Sequence, residues 1–492
     1  MRPQTLKRIT RTAALVGARV AVATFLVVAT LLLVVAIGDR SMPDPRLWHE
    51  QAPAGEFRAG DLDADFDLDD YLAFEDRVFA ALDDFMLAPD ELSGTPTVIR
   101  YVTGGPGDPD TFERNWNRTF EMTPDEIRGG VLLVHGLSDS PYSMRSLAET
   151  FRDEGFYVLA MRMPGHGTVP AGLVRAKWRD WAAAIDIGAR HVAGKLTEGR
   201  PFILVGYSSG GALSVLYTLH AIDDDDLRAP DHVLLLSPAI GITRFAMASN
   251  WHKLFSWIPY FEKSKWVAIQ PEYDPFKYTS FPKNAGAQSW AIAREVETQL
   301  ARAQADGRLA RIPPILTFQS AVDSTIIAAD VLGRLYRRLP DNGSELVIFD
   351  VNTVGSLDEF YRDRTDRTMA GLLTDKTFPF RLTMITNASP ESVDVVARTK
   401  EPFTDEVKVV GLAQSWPPNV YSLAHVAIPF PPTDPLYGPI GVDGRVQLGN
   451  LAPRGEKHVL KISAADLLRL RYNPFHEYMI QRVVEMIESA KQ

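Results

Sequence analysis

Cysteine is missing from all 492 residues, and that absence excludes disulfides, thiolate zinc sites and a cysteine nucleophile. Positive charge is in deficit: 52 Lys and Arg stand against 62 Asp and Glu, a formal net charge of -10. Binding a phosphate backbone requires clustered cations that release counterions, so nucleic acid is not an expected partner. No internal repeat is visible, which disfavours a solenoid or propeller. No cofactor or metal motif is present, and the few, widely spaced histidines support none. What remains has a globular composition, 46% hydrophobic and 23% charged, with 34 Gly and 34 Pro dispersed as turns. The length implies a core of roughly 300 residues carrying insertions and an N-terminal appendage. Nothing in it fixes the oligomeric state.

One long hydrophobic run stands out. Residues 20–38, VAVATFLVVATLLLVVAIG, carry no charge and match the roughly 20 residues a helix needs to span a bilayer. Arg2, Lys7, Arg8, Arg11 and Arg19 precede it and Asp39 is the first acid. That asymmetry places the N-terminus in the cytoplasm and the rest across the membrane, periplasmic in a bacterium. The alternative is a cleavable signal peptide, with Val34 and Ala36 at its small-residue site. The expected organisation is a basic tail and anchor at 1–40, a linker and acidic amphipathic helix at 41–94 with the helix at 69–87, and the main domain at 95–492. Asp61, Asp63, Asp65, Asp67 and Asp69 lack the glycine and glutamate of a calcium loop and read as solvated acidic surface.

Beyond residue 95, short apolar runs at 98–103, 131–135, 157–162, 202–206, 232–237, 315–319 and 346–350 read as strands. Helical spacing marks 142–154, 178–193, 210–221 and 328–339. This alternation predicts an α/β class with a mostly parallel sheet covered on both faces. Two stretches interrupt it. Residues 242–310 are crowded with aromatics, Trp251, Trp257, Trp266, Tyr273 and Phe276 among them, and read as a cap. Residues 352–422 hold strand-like runs at 380–386, 393–399 and 407–413 that extend the sheet as a meander.

The strongest chemical signal is an apolar strand ending in Gly206-Tyr207-Ser208-Ser209-Gly210-Gly211 and opening into a helix. Such a turn strains the serine backbone and exposes its hydroxyl, and the helix N-terminus beside it favours a developing oxyanion. Ser208 is the expected nucleophile and the Ser209 amide one oxyanion donor. The upstream segment Leu132-Leu133-Val134-His135-Gly136-Leu137-Ser138-Asp139-Ser140 has the form of the second donor loop, with the Leu137 amide as donor. Together with Met163-Pro164-Gly165-His166-Gly167-Thr168, these motifs resemble the monoglyceride-lipase and serine-aminopeptidase branch of the α/β hydrolases, over residues 95–339. The resemblance implies an α/β-hydrolase fold and makes His135 and His166 loop-shaping residues.

In such folds the triad acid follows the strand after the cap. Asp323, after Ile315-Leu316-Thr317-Phe318-Gln319, matches, and Asp350 is its rival. The order Ser, Asp, His then leaves His425 as the base, since no other histidine lies between Asp323 and Val426. His458 and His476 follow later, the latter expected at a surface. The family pattern puts the histidine soon after the last core strand, whereas here the 352–422 insertion intervenes and must return the chain to the strand ends. The expected chemistry is carboxylic-ester hydrolysis through an acyl-enzyme, on a small ester or lipid-like substrate such as a monoacylglycerol or lysophospholipid. Two alternatives stand beside it. One is an aminopeptidase using Glu262, Glu272 or Asp274 to bind an amine; the other is a non-catalytic, membrane-tethered scaffold of the same fold.

Overall fold

The computed structural model describes residues 16–26, 30, 42–88, 98–241, 263–355, 371–441, 445–449, 451 and 462–491. With Thr317, Gln319, Ser320 and Glu345 as buried polar members, largely apolar runs of five or six residues, buried on both faces, form the centre of the sheet. They are β2 (Gly129–Val134), β3 (Phe156–Met161), β4 (Phe202–Tyr207), β5 (His232–Leu236), β8 (Ile315–Ser320) and β9 (Glu345–Phe349). A short β1 (Phe120–Met122) lies outside β3, and β10 (Arg381–Asn387), β11 (Asp394–Lys400) and β12 (Val407–Ser415) lie beyond β9. The order is β1-β3-β2-β4-β5-β8-β9-β10-β11-β12. Neighbours from β3 to β10 are parallel, while β1, β11 and β12 pair antiparallel.

Alternate strand residues feed two cores. Leu132, Val134, Leu204, Val233, Leu235 and Leu346 face α1 (Leu68–Ala80), α3 (Trp178–Gly194), α4 (Ser209–Ala221) and α5 (Lys283–Ala305). Val131, Leu133, Ile203, Val205, Leu234 and Val347 face α2 (Arg145–Asp153) and α6 (His476–Ala490). Each fully buried aliphatic side chain of this kind contributes roughly 1.5–3 kcal/mol. Because β3 and β4 flank β2, strand order reverses there and a crevice opens at the strand ends, where parallel sheets place their ligands.

Several expectations change. Residues 98–103 do not form a strand: Val102 makes one isolated bridge to Leu87, and the buried Arg100 turns the chain by donating to the Gly167 carbonyl at 3.0 Å. The 328–339 segment is not one α-helix but an α turn (Ala328–Asp330), a π turn (Val331–Leu335) and a 3₁₀ turn (Tyr336–Arg338), with Gly333 at its weakest point. The cap gives way to the core earlier than expected, since α5 packs Ile292, Val296 and Leu300 into the first core. Its other described part is a hairpin of β6 (Trp266–Ala268) and β7 (Phe281–Pro282), while residues 242–262 lie outside the described residues.

The stretch expected as a linker is packed from residue 47 onward. Phe57 is 1% exposed, and Glu56 grips Arg162 through both oxygens, at 2.7 and 3.1 Å, while accepting the Gly165 amide at 2.8 Å. The acidic run serves local capping: Asp67 and Asp70 exchange side-chain and backbone hydrogen bonds at the start of α1. Of the hydrophobic run at 20–38, only 20–26 and 30 are described; they are helical and exposed. No helix of the described residues is long and apolar enough to cross a membrane.

Candidate active site

Between β4 and α4 the chain turns so sharply that Ser208 adopts φ +54° and ψ -115°. A non-glycine residue in that region costs on the order of 1–3 kcal/mol, so the surroundings must hold it there. They do so through backbone: the Ser208 amide donates to the Leu236 carbonyl at 2.9 Å, and the Ser208 carbonyl accepts from Ala239 at 2.8 Å. Gly210 is obligatory, because a β-carbon there would sit 2.3 Å from the Val134 carbonyl oxygen.

The loop after β2 lies against the serine, since a β-carbon on Gly136 would meet the Tyr207 ring at 3.0 Å and the Ser208 β-carbon at 3.2 Å. His135 shapes this loop. Its Nδ1 donates to the Gly136 carbonyl at 2.8 Å and its Nε2 accepts the Met163 amide at 3.0 Å, which requires the neutral ring. Burial pushes its pKa down to about 3. His166 stands edge-on to His135 at 5.0 Å and bonds the Met163 and Pro164 carbonyls. Among the described residues, the amides of Leu137 and Ser209 have no acceptor.

Across the crevice, His425 opens a 3₁₀ turn (His425–Ala427) and is buried. Its Nδ1 lies 3.2 Å from Asp323 Oδ1, and its ring lies 6.5 Å from that of Tyr207, the neighbour of Ser208. Asp323 Oδ1 also accepts the Thr325 and Ile326 amides at 2.8 and 3.0 Å. Burial works to raise the Asp323 carboxyl, but the hydrogen bond and charge of His425 and those two amides hold it below its ordinary value. Burial lowers the pKa of His425; Asp323 opposes this, and Arg469 and Lys277 add to it. The insertion does bring the chain back. Residues 420 and 421 are latched to the end of β9 by Asn352, whose amide donates to the Tyr421 carbonyl at 2.8 Å and whose side chain donates to Val420 at 2.9 Å.

The rivals lie elsewhere. The Asp350 carboxylate accepts from the Val351 amide and the Thr386 hydroxyl. His476 is not at the surface: it is buried beside Ser146 at 3.3 Å, and burial pushes its pKa down to about 4. His458 and Glu262 lie outside the described residues. Glu272 already accepts the Thr279 and Ser280 amides, and Asp274 the Tyr437 hydroxyl, which leaves neither poised for a substrate amine.

The alpha/beta hydrolase family model matches residues 131–379, just over half of the chain. The chain belongs to the alpha/beta hydrolase family. The chain is 39% identical over 95 residues to the thermostable monoacylglycerol lipase of Bacillus sp. (strain H-257), covering 19% of this chain and 36% of the lipase. It thus spans about a third of that relative's length. Among solved structures, the metagenome-derived lipolytic enzymes LipS and LipT match at 22% identity and TM-score 0.38, over 48% of this chain and 88% of that one. The monoacylglycerol lipase of Paleococcus ferrophilus matches at 20% identity and TM-score 0.34, over 47% and 86%.

Beside His425 the protein holds a cavity of about 340 Å³, lined by Lys277 and Tyr278 from the cap, Val426 and Tyr437, and Arg469 and Arg471. Arg469 places Nη2 3.0 Å from His425 Nδ1. Neither Lys277 nor Arg469 figured among the expected site residues. Signals existed: Lys277 is a lone cation in the aromatic run Tyr273-Asp274-Pro275-Phe276-Lys277-Tyr278, and Arg469 and Arg471 interrupt Leu467, Leu468 and Leu470.

Proposed function

We propose that this protein is a serine hydrolase of carboxylic esters. Ser208 attacks the acyl carbon while His425 Nε2 takes its proton, and Asp323 holds the Nδ1–H tautomer and stabilises the imidazolium. The Leu137 and Ser209 amides receive the oxyanion. His425 then protonates the leaving alcohol, and water activated by the same ring cleaves the acyl-enzyme. The observation that carries this reading is the His425 and Asp323 pair at 3.2 Å, returned across the insertion to the neighbour of the strained serine. The substrate we assign is a lipid-like ester such as a monoacylglycerol or lysophospholipid; the lipase relative from Bacillus supports that class. The S208A variant should lose fluorophosphonate labelling and on the order of 10⁶-fold in kcat with its fold intact. Undiminished labelling of that variant overturns the assignment.

We also propose that residues 20–38 anchor the protein, with the catalytic domain on the far, periplasmic side. In support, the described helical part exposes Val20, Val22, Phe25 and Leu26, each at least 58% accessible, a state that favours lipid over water. Carbonate extraction should leave the full chain in the membrane fraction and release a variant lacking residues 1–41. Release of the full chain would end this reading.

A further inference from the structure

Resting on the reading as an ester hydrolase, we propose that Lys277 and Arg469 form an anion-binding subsite beside His425, which selects esters bearing a carboxylate or phosphate group. The cavity that holds them has a volume in the range of small-molecule sites, and it touches both halves of the active site. Arg469 reaches the His425 ring, and Val426 follows that histidine along the wall. On the other side, the Tyr278 amide, next to Lys277, donates to the Ser138 carbonyl of the oxyanion loop at 2.7 Å.

The charges lining this cavity do not cancel. Lys277, Arg469 and Arg471 face Asp274 and Asp466. Asp274 is taken: it accepts the Tyr437 hydroxyl at 2.8 Å and the Phe276 and Lys277 amides at 3.0 and 3.1 Å, with Arg471 at 3.9 Å. Among the lining residues, that leaves Lys277 and Arg469 against Asp466, which is only partly buried and caps its own turn through Ser463. Among the described residues, the Lys277 ammonium has no hydrogen bond or ion pair, and Arg469 has no carboxylate partner. The buried Asp139 acts on Lys277 through charge alone: its Oδ2 takes part in no hydrogen bond, so the ammonium has no directly bonded anion. Lys277 and Arg469 are both partly buried; holding an ammonium and a guanidinium partly out of water without a directly bonded anion is unfavourable, and a ligand anion relieves it through charge-assisted hydrogen bonds.

Arg469 links this subsite to the chemistry. Its N–H, aimed at His425 Nδ1, calls for the tautomer with the proton on Nε2, whereas Asp323 calls for the proton on Nδ1. An anion that draws Arg469 away leaves Nδ1–H to Asp323 and frees Nε2 to take the serine proton. Occupancy of the subsite and activation of the base are therefore one event.

The test uses the full chain in detergent and two substrate pairs: mono-4-nitrophenyl adipate against 4-nitrophenyl hexanoate, and 1-butyrylglycerol 3-phosphate against 1-butyrylglycerol. The anionic member of at least one pair should show a kcat/KM about 10- to 100-fold higher. That ratio should collapse in K277M and rise in D466N; the pair that responds distinguishes carboxylate from phosphate. Equal kcat/KM within both pairs overturns the subsite while leaving ester hydrolysis standing. If no ester is turned over, the hydrolase reading fails. Calorimetry with glycerol 3-phosphate and with adipate then decides: binding lost in K277M supports the subsite, and no binding of either overturns it.

Discussion

Ser208 and His425, whose ring lies 6.5 Å from that of the serine's neighbour Tyr207, are held by different means. The serine is fixed by backbone: its amide and carbonyl are bonded to Leu236 and Ala239, and the glycines at 136 and 210 let neighbouring chain approach. The histidine is fixed by side chains, with Asp323 at 3.2 Å and Arg469 at 3.0 Å on the same nitrogen. A backbone-built half tolerates little change in shape and is insensitive to charge. A side-chain-built half is the reverse, because the groups that position the ring also set its tautomer and proton affinity.

The largest expected effect that sharpens this contrast comes from D323N. The change is nearly isosteric, so the fold should hold, yet the new amide donates where a carboxylate accepted. With that amide and Arg469 both donating to Nδ1, the ring proton moves to Nε2 and the base is lost. We expect kcat to fall about 10⁴-fold with little change in Tm. A loss below tenfold would show that Asp323 does not set the tautomer.

The G136A variant tests the other half. Its new methyl group would meet the Tyr207 ring and the Ser208 β-carbon at 3.0 and 3.2 Å, so the loop must move by a few tenths of an ångström. Displacing an oxyanion donor by that much should cost roughly 10- to 100-fold in kcat. The loss should be the same at every pH, because no charge is altered. A pH-dependent loss would mean that the two halves are not independent.

The same contrast governs what was legible in the sequence. The strands β2, β4, β5, β8 and β9 were readable because a run buried on both faces is largely apolar, even where Thr317, Gln319 and Glu345 enter it, and the turn at Ser208 because its glycines answer to local geometry. β1 was missed: it has three residues, of which only Phe120 is fully buried. Residues 98–103 looked like a strand because Arg100, buried against carbonyl groups, is indistinguishable by type from an outward-facing polar residue. The helix α5 was absorbed into the cap because aromatics up to Trp290 masked its period. Asp323 was expected from the family resemblance and His425 from chain order and elimination, whereas their meeting depends on Asn352 and on three strands that pair beyond β9. Arg469 and Lys277 escaped because a cation in an apolar stretch reads as surface until a cavity is found around it.

The smallest effect is the most specific to the side-chain half. As the proposed base, His425 must be neutral to act, so the acid limb of kcat/KM for a neutral ester should follow its pKa in the free enzyme. Burial, with the cations Arg469 and Lys277, lowers that value below 6.5, against the pull of Asp323. Activity should therefore persist below pH 6.5 and fall only as the pH drops through the lowered value. Removing the Arg469 cation takes away one opposition to protonation, so in R469Q the acid limb should move to higher pH. In G136A it should stay where it is. If R469Q leaves the limb unmoved, Arg469 does not act on the charge of His425, and the 3.0 Å contact is one of packing alone.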